Sequence, residues 1–287
     1  MRFKSRLHRT KLHYLTASIS ISRAIDSRAA VFLDSEYMRW SLLNTAIENK
    51  PQTFIELQKD EIFEEYRIES KSNNQILFEI DLNLLDVALR SGKMSHQVDL
   101  KLVKRDTTAC LCVEIHNLGN IINHDIPIKV CRADSIHLMA PPQIPSPTVA
   151  LELPKYGKNL KILAEKMSKL SKDITIIGEQ NGRLTFNILD GSKSSTISTF
   201  FTKVEPRFDT ANLNESTDYN NKASVKVELK KLSSVLSYHN VQGYIESACI
   251  YMVGKNQPLV IHLELQDEAG VITYYIPPLV NLEEDSD

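Results

Sequence analysis

Short β-type runs, many of them alternating apolar with polar residues one by one, recur throughout the chain. Ala30-Val31-Phe32-Leu33, Thr53–Leu57, Gln75–Ile80, Val98–Val103 and Cys110–Ile115 are the clearest of them. Such alternation with a period of two is the mark of half-buried antiparallel strands, so a sheet is the expected scaffold. Four segments carry the helical period instead. Leu12, Leu15 and Ile19 repeat over residues 10–22, and Leu84, Leu85, Ala88 and Leu89 over 83–91. Leu160, Leu163, Ala164, Met167 and Leu170 form one stripe over 156–171, and Leu232, Val235 and Leu236 do so over 230–238. Each predicted helix therefore has one core face and one free face.

The helices repeat as a pair. Ile80–Leu89 aligns with Val227–Leu236 at an offset of 147, and the same offset carries the first helix onto the third. That spacing predicts a structural duplication, with strand, helix, strands, helix and strands occurring twice. Between the copies, Arg132–Pro147 holds four of the 11 prolines and reads as a stiff extended connector. The expected division is a first domain over 1–131, a connector over 132–147, a second domain over 148–281 and an acidic tail over 282–287. Pro206–Lys222, polar and rich in Asn, Asp and Thr, reads as a loop excursion. Its Asn214-Glu215-Ser216 acceptor triplet is read as a chance match.

Length and charge fit this picture. At about 150 residues per domain, 287 residues allow two cores, and 42% apolar with 24% charged residues is an ordinary globular balance. Lys+Arg of 34 against Asp+Glu of 36 excludes a uniformly basic chain but allows a local basic face. Arg2, Lys4, Arg6, Arg9, Lys11 and Arg23 precede the first acid, Asp26, which also suits a transit peptide; the repeat makes residues 1–25 a strand and helix of the fold instead. No apolar run approaches the roughly 18 residues a membrane helix needs, and no membrane partner is expected. Cys110, Cys112, Cys131 and Cys249 have neither disulfide-framework nor zinc spacing, so they read as reduced structural thiols. Only 9 glycines, and no P-loop, GxGxxG, HExxH or GxSxG, leave no motif for a cofactor or for catalysis. His124 and Asp125 are neighbours on a predicted strand and point to opposite faces, so they read as surface residues rather than half of a triad. Asp60, Glu61, Glu64 and Glu65 read as a solvated helical turn.

One charge pattern stands apart. In the third helix, read as running from Lys155 to Lys172, six lysines against Glu165 leave a charge near +5. Lys155, Lys158, Lys161, Lys166, Lys169 and Lys172 fall within an arc of roughly 140° opposite the apolar stripe. A solvated helix usually mixes lysine with glutamate. A face of lysine alone suits sequence-blind contact with a phosphate backbone, because lysine is a flexible point charge without the fork of arginine. Arg9 and Lys11 flank the first helix, Arg90 and Lys93 end the second, and Lys230 and Lys231 open the fourth.

A β-rich chain with two similar halves, two helices in each and basic helix faces resembles a sliding-clamp subunit. Asn123–Val130, the start Met1-Arg2-Phe3-Lys4, Ile62–Tyr66, Ala88–Ser91 and the ending Thr273–Leu279 resemble the Hus-type subunit of the heterotrimeric DNA-damage checkpoint clamp, the nine-one-one complex. The last segment is also similar to the C-terminal strand of PCNA. The resemblance spans residues 1 to about 280 and implies an α+β, PCNA-like fold, its outer antiparallel sheets backed by two inner helices per domain. It further implies a ring with two other clamp-like subunits, placed on double-stranded DNA at damage by a clamp loader, serving checkpoint and repair proteins in the nucleus, and no catalysis. Cytoplasmic residence before assembly is part of that expectation. One ring-closing edge would be the strand bearing Ile122, His124, Ile126, Ile128 and Val130, and the other the strand bearing Ser194, Thr196, Ser198 and Phe200. Ile136, Leu138, Met139, Tyr275, Ile276, Pro277 and Pro278 would border a groove for client peptides. A PCNA-like homotrimer and an enzyme on an unrelated β-rich fold are the alternatives.

Overall fold

The computed structural model describes residues 1–43, 49–132, 135, 139–153, 157–189, 195–207 and 221–279. The first half runs β1 (Arg2–Leu7), α1 (Leu12–Arg23), β2 (Arg28–Leu33), β3 (Tyr37–Leu42), β4 (Gln52–Gln58), α2 (Lys59–Ile62), β5 (Phe63–Glu69), β6 (Ile76–Asp81), α3 (Leu82–Ser91), β7 (Gln97–Arg105), β8 (Thr108–Asn117) and β9 (Asn120–Val130). The second runs β10 (Val149–Glu152), α4 (Gly157–Met167), β11 (Asp173–Glu179), β12 (Arg183–Leu189), β13 (Thr196–Phe201), β14 (Lys222–Glu228), α5 (Leu229–Val235), a 3-10 segment Leu236–Tyr244, β15 (Ile245–Met252), β16 (Leu259–Leu265) and β17 (Gly270–Ile276). The chain clusters into two compact units, one of Met1–Thr45, Thr53–Pro141 and Glu264–Ile272, the other of Ala46–Gln52, Pro142–Leu263 and Thr273–Asp287. No described helix is long and apolar enough to cross a membrane.

Both halves use one wiring pattern. In the first, β2 lies between β3 and β6, and β8 lies between β7 and β9. In the second, β11 lies between β12 and β14, and β16 between β15 and β17. β1 pairs with β7 as β10 pairs with β15, and the bridge Ile80↔Ile128 recurs as Val227↔Pro278. All the pairings set out here are antiparallel, and the strands alternate buried with exposed residues as the sequence pattern requires.

The helices differ from expectation in detail. α3 starts at Leu82 because the Asp81 carboxylate caps it, accepting from the Asn83 N–H at 2.7 Å. This start puts Leu82 with Leu85, Ala88 and Leu89 in the core and leaves Leu84 exposed, against the predicted stripe. α4 ends at Met167 and not at Lys172. The Ser168 hydroxyl bonds the Glu165 carbonyl (2.8 Å) and that of Ser171 bonds the Asp173 carbonyl (2.9 Å), competing with helical continuation. Leu170 then lies outside the helix and is exposed. α1 lies against α3, and α4 against α5 and the 3-10 segment.

Cys110 and Cys112 lie on one face of β8, and all four cysteines are free thiols. Burial, followed by the neighbouring Asp125, pushes the Cys112 thiol up to about 11, so it is protonated at neutral pH. Asp60 and Glu61 do sit on a helical turn, α2, while Glu64 and Glu65 belong to β5. Only Pro206, Arg207, Asn221 and Lys222 of the 206–222 excursion are among the described residues.

Gly182 turns the chain between β11 and β12 at φ +90°, and a side chain there would approach the Val204 carbonyl oxygen to 2.5 Å. Gly182→Ala meets backbone on both counts and should lower stability by about 1–3 kcal/mol. Chemical denaturation of the full chain measures it.

Candidate nucleic-acid and subunit interfaces

The helix cations divide into two sets once their partners are visible. Lys161 of α4 donates to the Ser233 carbonyl (2.5 Å) and hydroxyl (3.0 Å) of α5, which fastens the helix pair, and it pairs with Glu165 at 3.6 Å. Lys231 is nearly buried against Glu228 at 3.3 Å. Lys11 binds Asp267 at 2.6 Å beside the Tyr14 hydroxyl, also on Asp267 at 2.9 Å. Those two donors hold the Asp267 carboxyl below its usual range. Burial, followed by the hydrogen bond to Asp267, pushes the Tyr14 phenol up to about 12. Arg90 reaches back to Asp86 at 2.8 Å, and Arg23 of α1 binds the same carboxylate and the Asn83 amide oxygen at 2.8 Å. Asp86 is 2% exposed, so two arginines hold one buried anion and clasp α1 to α3. This acid was not singled out by sequence, since a lone Asp on a helix carries no pattern.

The remaining cations are free to act on a partner. Arg9, Lys93, Lys158, Lys166, Lys169, Lys172 and Lys230 are exposed and make no ion pair among the described residues. Lys169 and Lys172 follow α4 rather than lie on it, and Lys155 falls outside the described residues. The open face of α3 differs in kind, since its exposed residues include Leu84 and Val87. Its positive charge is spent on Asp86.

The two expected edges are open. β9 pairs with β8 over Asn120–Pro127 and with β6 only over Ile128–Val130, so one side of 120–127 has no strand partner among the described residues of its unit. Among the described residues β13 pairs with β12 alone and ends its four-stranded sheet. Two other sheet edges are defended. β5 carries Glu64, Glu65, Arg67 and Glu69, and β10 is covered by the chain at Glu205–Arg207. β9 and β13 instead display Ile121, Ile122 and Val130, and Ile197 and Phe200, the last 57% exposed beneath the Arg183 guanidinium.

Individual side chains correct the expected edge set. Ile126 and Ile128 share the face of Ile122 but run into the core, so only their backbone is near the edge. His124 is half-buried and its Nε2 meets the Ser91 hydroxyl at 3.0 Å. Asp125, on the opposite face, is paired with Arg105 at 2.7 Å, which holds its carboxyl below the usual range. Thr196, Ser198 and Phe200 are exposed on β13, and Ser194 lies outside the described residues. Ile121 and Ile197 lie outside the expected set; for Ile121 there is a signal, since two consecutive isoleucines in a strand force one of them outward, and Ile197 has none of that kind.

Of the expected groove residues, Ile136 and Leu138 lie outside the described residues. Met139 packs on Ala30, Phe32 and Leu77 in the first unit. In the second, Tyr275, Pro277 and Pro278 are half-buried, while Ile276 is wholly buried and offers no side chain to a ligand.

Among the described residues, Asp99, Glu114 and His116 bring potential metal-binding atoms within 4.8 Å of one another. Their charges are already met. Asp99 takes Arg6 (3.3 Å) and the Gln97 amide (2.9 Å), and Lys101 binds Glu114 and lowers its pKa. That set is a largely buried ion-pair network centred on Asp99.

Replacing Lys161 by Ala removes two hydrogen bonds from a charged donor and should cost about 1.5–3 kcal/mol. Lys166→Ala, with no partner to lose, should stay within about 0.5 kcal/mol. Parallel urea melts distinguish the fastening lysine from the free one.

Comparison with known proteins agrees with this architecture. The model of the Hus1-like protein family matches residues 1–280. The chain is 28% identical over 285 residues to the checkpoint protein hus1 homolog of Dictyostelium discoideum, covering 98% of this chain and 99% of that one. It is 27% identical to the human checkpoint protein HUS1 over 232 residues, 78% of this chain and 80% of that one. Among solved structures, PCNA of Entamoeba histolytica superposes with a TM-score of 0.71 at 12% identity, covering 97% of this chain and 99% of that chain. PCNA of A. fulgidus, solved with the C-terminal region of FEN-1 bound, gives 0.67 at 14% identity, covering 98% and 100%. The fold is that of the PCNA clamps.

Proposed function

The chain belongs to the Hus1-like family, and we propose on that footing that it is one subunit of a heterotrimeric checkpoint clamp that encircles DNA at damage. Residues 1–131 and 148–281 act as its two clamp domains, joined by the connector 132–147 and followed by the acidic tail. The observation that carries the reading is the pair of undefended edges, β9 and β13, each showing apolar side chains to solvent. A strand edge with Ile or Phe exposed is an aggregation hazard in a lone molecule and a specific joint once a neighbour's strand completes it. A chain with two such edges of different sequence joins head to tail, and head-to-tail joints close into a ring when the rotation between neighbours closes, as the clamp reading requires.

Encirclement changes what the inner face must do. The ring itself prevents escape, so contacts with DNA need only be weak, sequence-blind and salt-sensitive. Lys158, Lys166 and Lys230, exposed on α4 and α5 without ion-pair partners among the described residues, suit that role, with Arg9 and Lys93 as further contacts. Lys161 and Lys231 hold the protein together and would contribute field rather than contact. Loading by a clamp loader, nuclear action, and service as a platform for repair and checkpoint proteins along the connector follow from the family reading. The bound FEN-1 peptide of the archaeal PCNA is the precedent for such clients. No step of this function requires chemistry by the chain.

Lys158→Glu, Lys166→Glu and Lys230→Glu combined should lower retention on closed circular DNA by about tenfold at physiological salt, with the ring still assembling. Equal retention by parent and variant rings across a salt titration removes the DNA-facing assignment. Light scattering on the chain alone should give a monomer, where a homotrimeric clamp would give three times that mass.

A further inference from the structure

A cavity of about 740 Å³ opens beside the start of β13, bounded by the turn that follows α4 and by the ends of β11 and β12. Its wall is part apolar and part cationic. Leu170 and Leu189 supply exposed apolar surface, and Lys169 and Lys172 stand at the wall with no carboxylate partner among the described residues. Asp173, the one acid among its described lining residues, is already paired with Lys226 at 3.4 Å. Asn187 adds a buried Oδ1 that has no hydrogen-bond donor among the described residues. The volume is far more than a single anion needs, and the leucines give a phosphate nothing to bind. An extended peptide end bearing an apolar side chain and a carboxylate fits both walls.

The adjoining edge says how such a peptide arrives. β13 leaves the cavity at Thr196, and the sheet it ends is antiparallel throughout. A strand added antiparallel to β13 therefore brings its own C-terminal end to the cavity. In this chain the comparable strand is β9, and it ends with Lys129 and then Arg132, both exposed. Lys129 is met by Glu79 at 2.9 Å, while Arg132 has no ion-pair partner among the described residues. A second copy would set cations against Lys169 and Lys172.

Resting on the ring reading above, we propose that this cavity is a charge-selective socket for the strand end of a different clamp subunit. It accepts a strand that ends in an apolar residue followed by Asp or Glu, and it refuses a second copy of this chain. Lys169 and Lys172 thereby select the neighbour rather than touch DNA. Specificity of this kind comes from the repulsive element as much as the attractive one.

Two full-length variants test it. Lys169→Glu with Lys172→Glu should lose at least tenfold in recovery of the β13-side neighbour from cells, and should convert the isolated chain from monomer to a salt-sensitive self-associating species in sedimentation. Adding Lys129→Glu and Arg132→Glu to that variant should return it to monomer. Phe200→Asp, on the β13 edge itself, is the reference for the ring. If Phe200→Asp loses the neighbour while the lysine reversal keeps it and stays monomeric, the socket is overturned and the ring reading stands. If neither variant loses a neighbour, the ring reading falls and the socket with it.

Discussion

Everything in this molecule turns on the hydrogen-bonding demand of sheet edges. Each residue at an edge presents an N–H or C=O that must be paired or wet, and an edge with apolar side chains beside it favours pairing. The described parts of the fold answer this demand in three ways. β5 is charged along its length, and β10 is covered by the chain at Glu205–Arg207. β9 and β13 remain open, with Ile122 and Phe200 in the solvent. Two unlike open edges make a subunit that is incomplete alone, and the helices of each half then need only support the sheets and carry charge.

The duplication explains how one wiring serves two ends. β8 sits between β7 and β9 as β16 sits between β15 and β17, and the short bridges at Ile128 and Pro278 recur at matching points. The helix pairs are fastened by different chemistry in the two halves. A buried Asp86 between Arg23 and Arg90 does so in the first, and Lys161 on the Ser233 carbonyl in the second. Low identity between the copies is therefore compatible with one architecture, since the pattern of burial is kept while the polar fasteners are exchanged.

Much of this was legible in the sequence because burial imposes period. The strand alternation, the helix pairs and the offset of 147 all follow from which positions face a core. What escaped was set by partners distant in the chain. Nothing local ties Lys11 to Asp267 or Lys161 to Ser233, so a lysine arc read from spacing could not separate fasteners from free cations. Capping by Asp81 shifted the buried stripe of α3 from Leu84 to Leu82, and two serines stopped α4 before Lys169. Both shifts come from side chains competing with the backbone, which apolar periodicity does not record. Ile126 and Ile128 were placed on the right strand, yet where that strand dives into the core depends on its late pairing with β6.

The central claim is that β9 and β13 complete their hydrogen bonding in other subunits. Residue-resolved amide exchange, measured on the chain alone and in the assembly recovered from cells, tests it most directly. The outward-facing amides of Asn120–Ile126 and Thr196–Phe201 should exchange rapidly in the isolated chain and become protected by at least a hundredfold, about 2.7 kcal/mol, in the assembly. Exchange at both edges that is equally fast in the two samples would contradict the account.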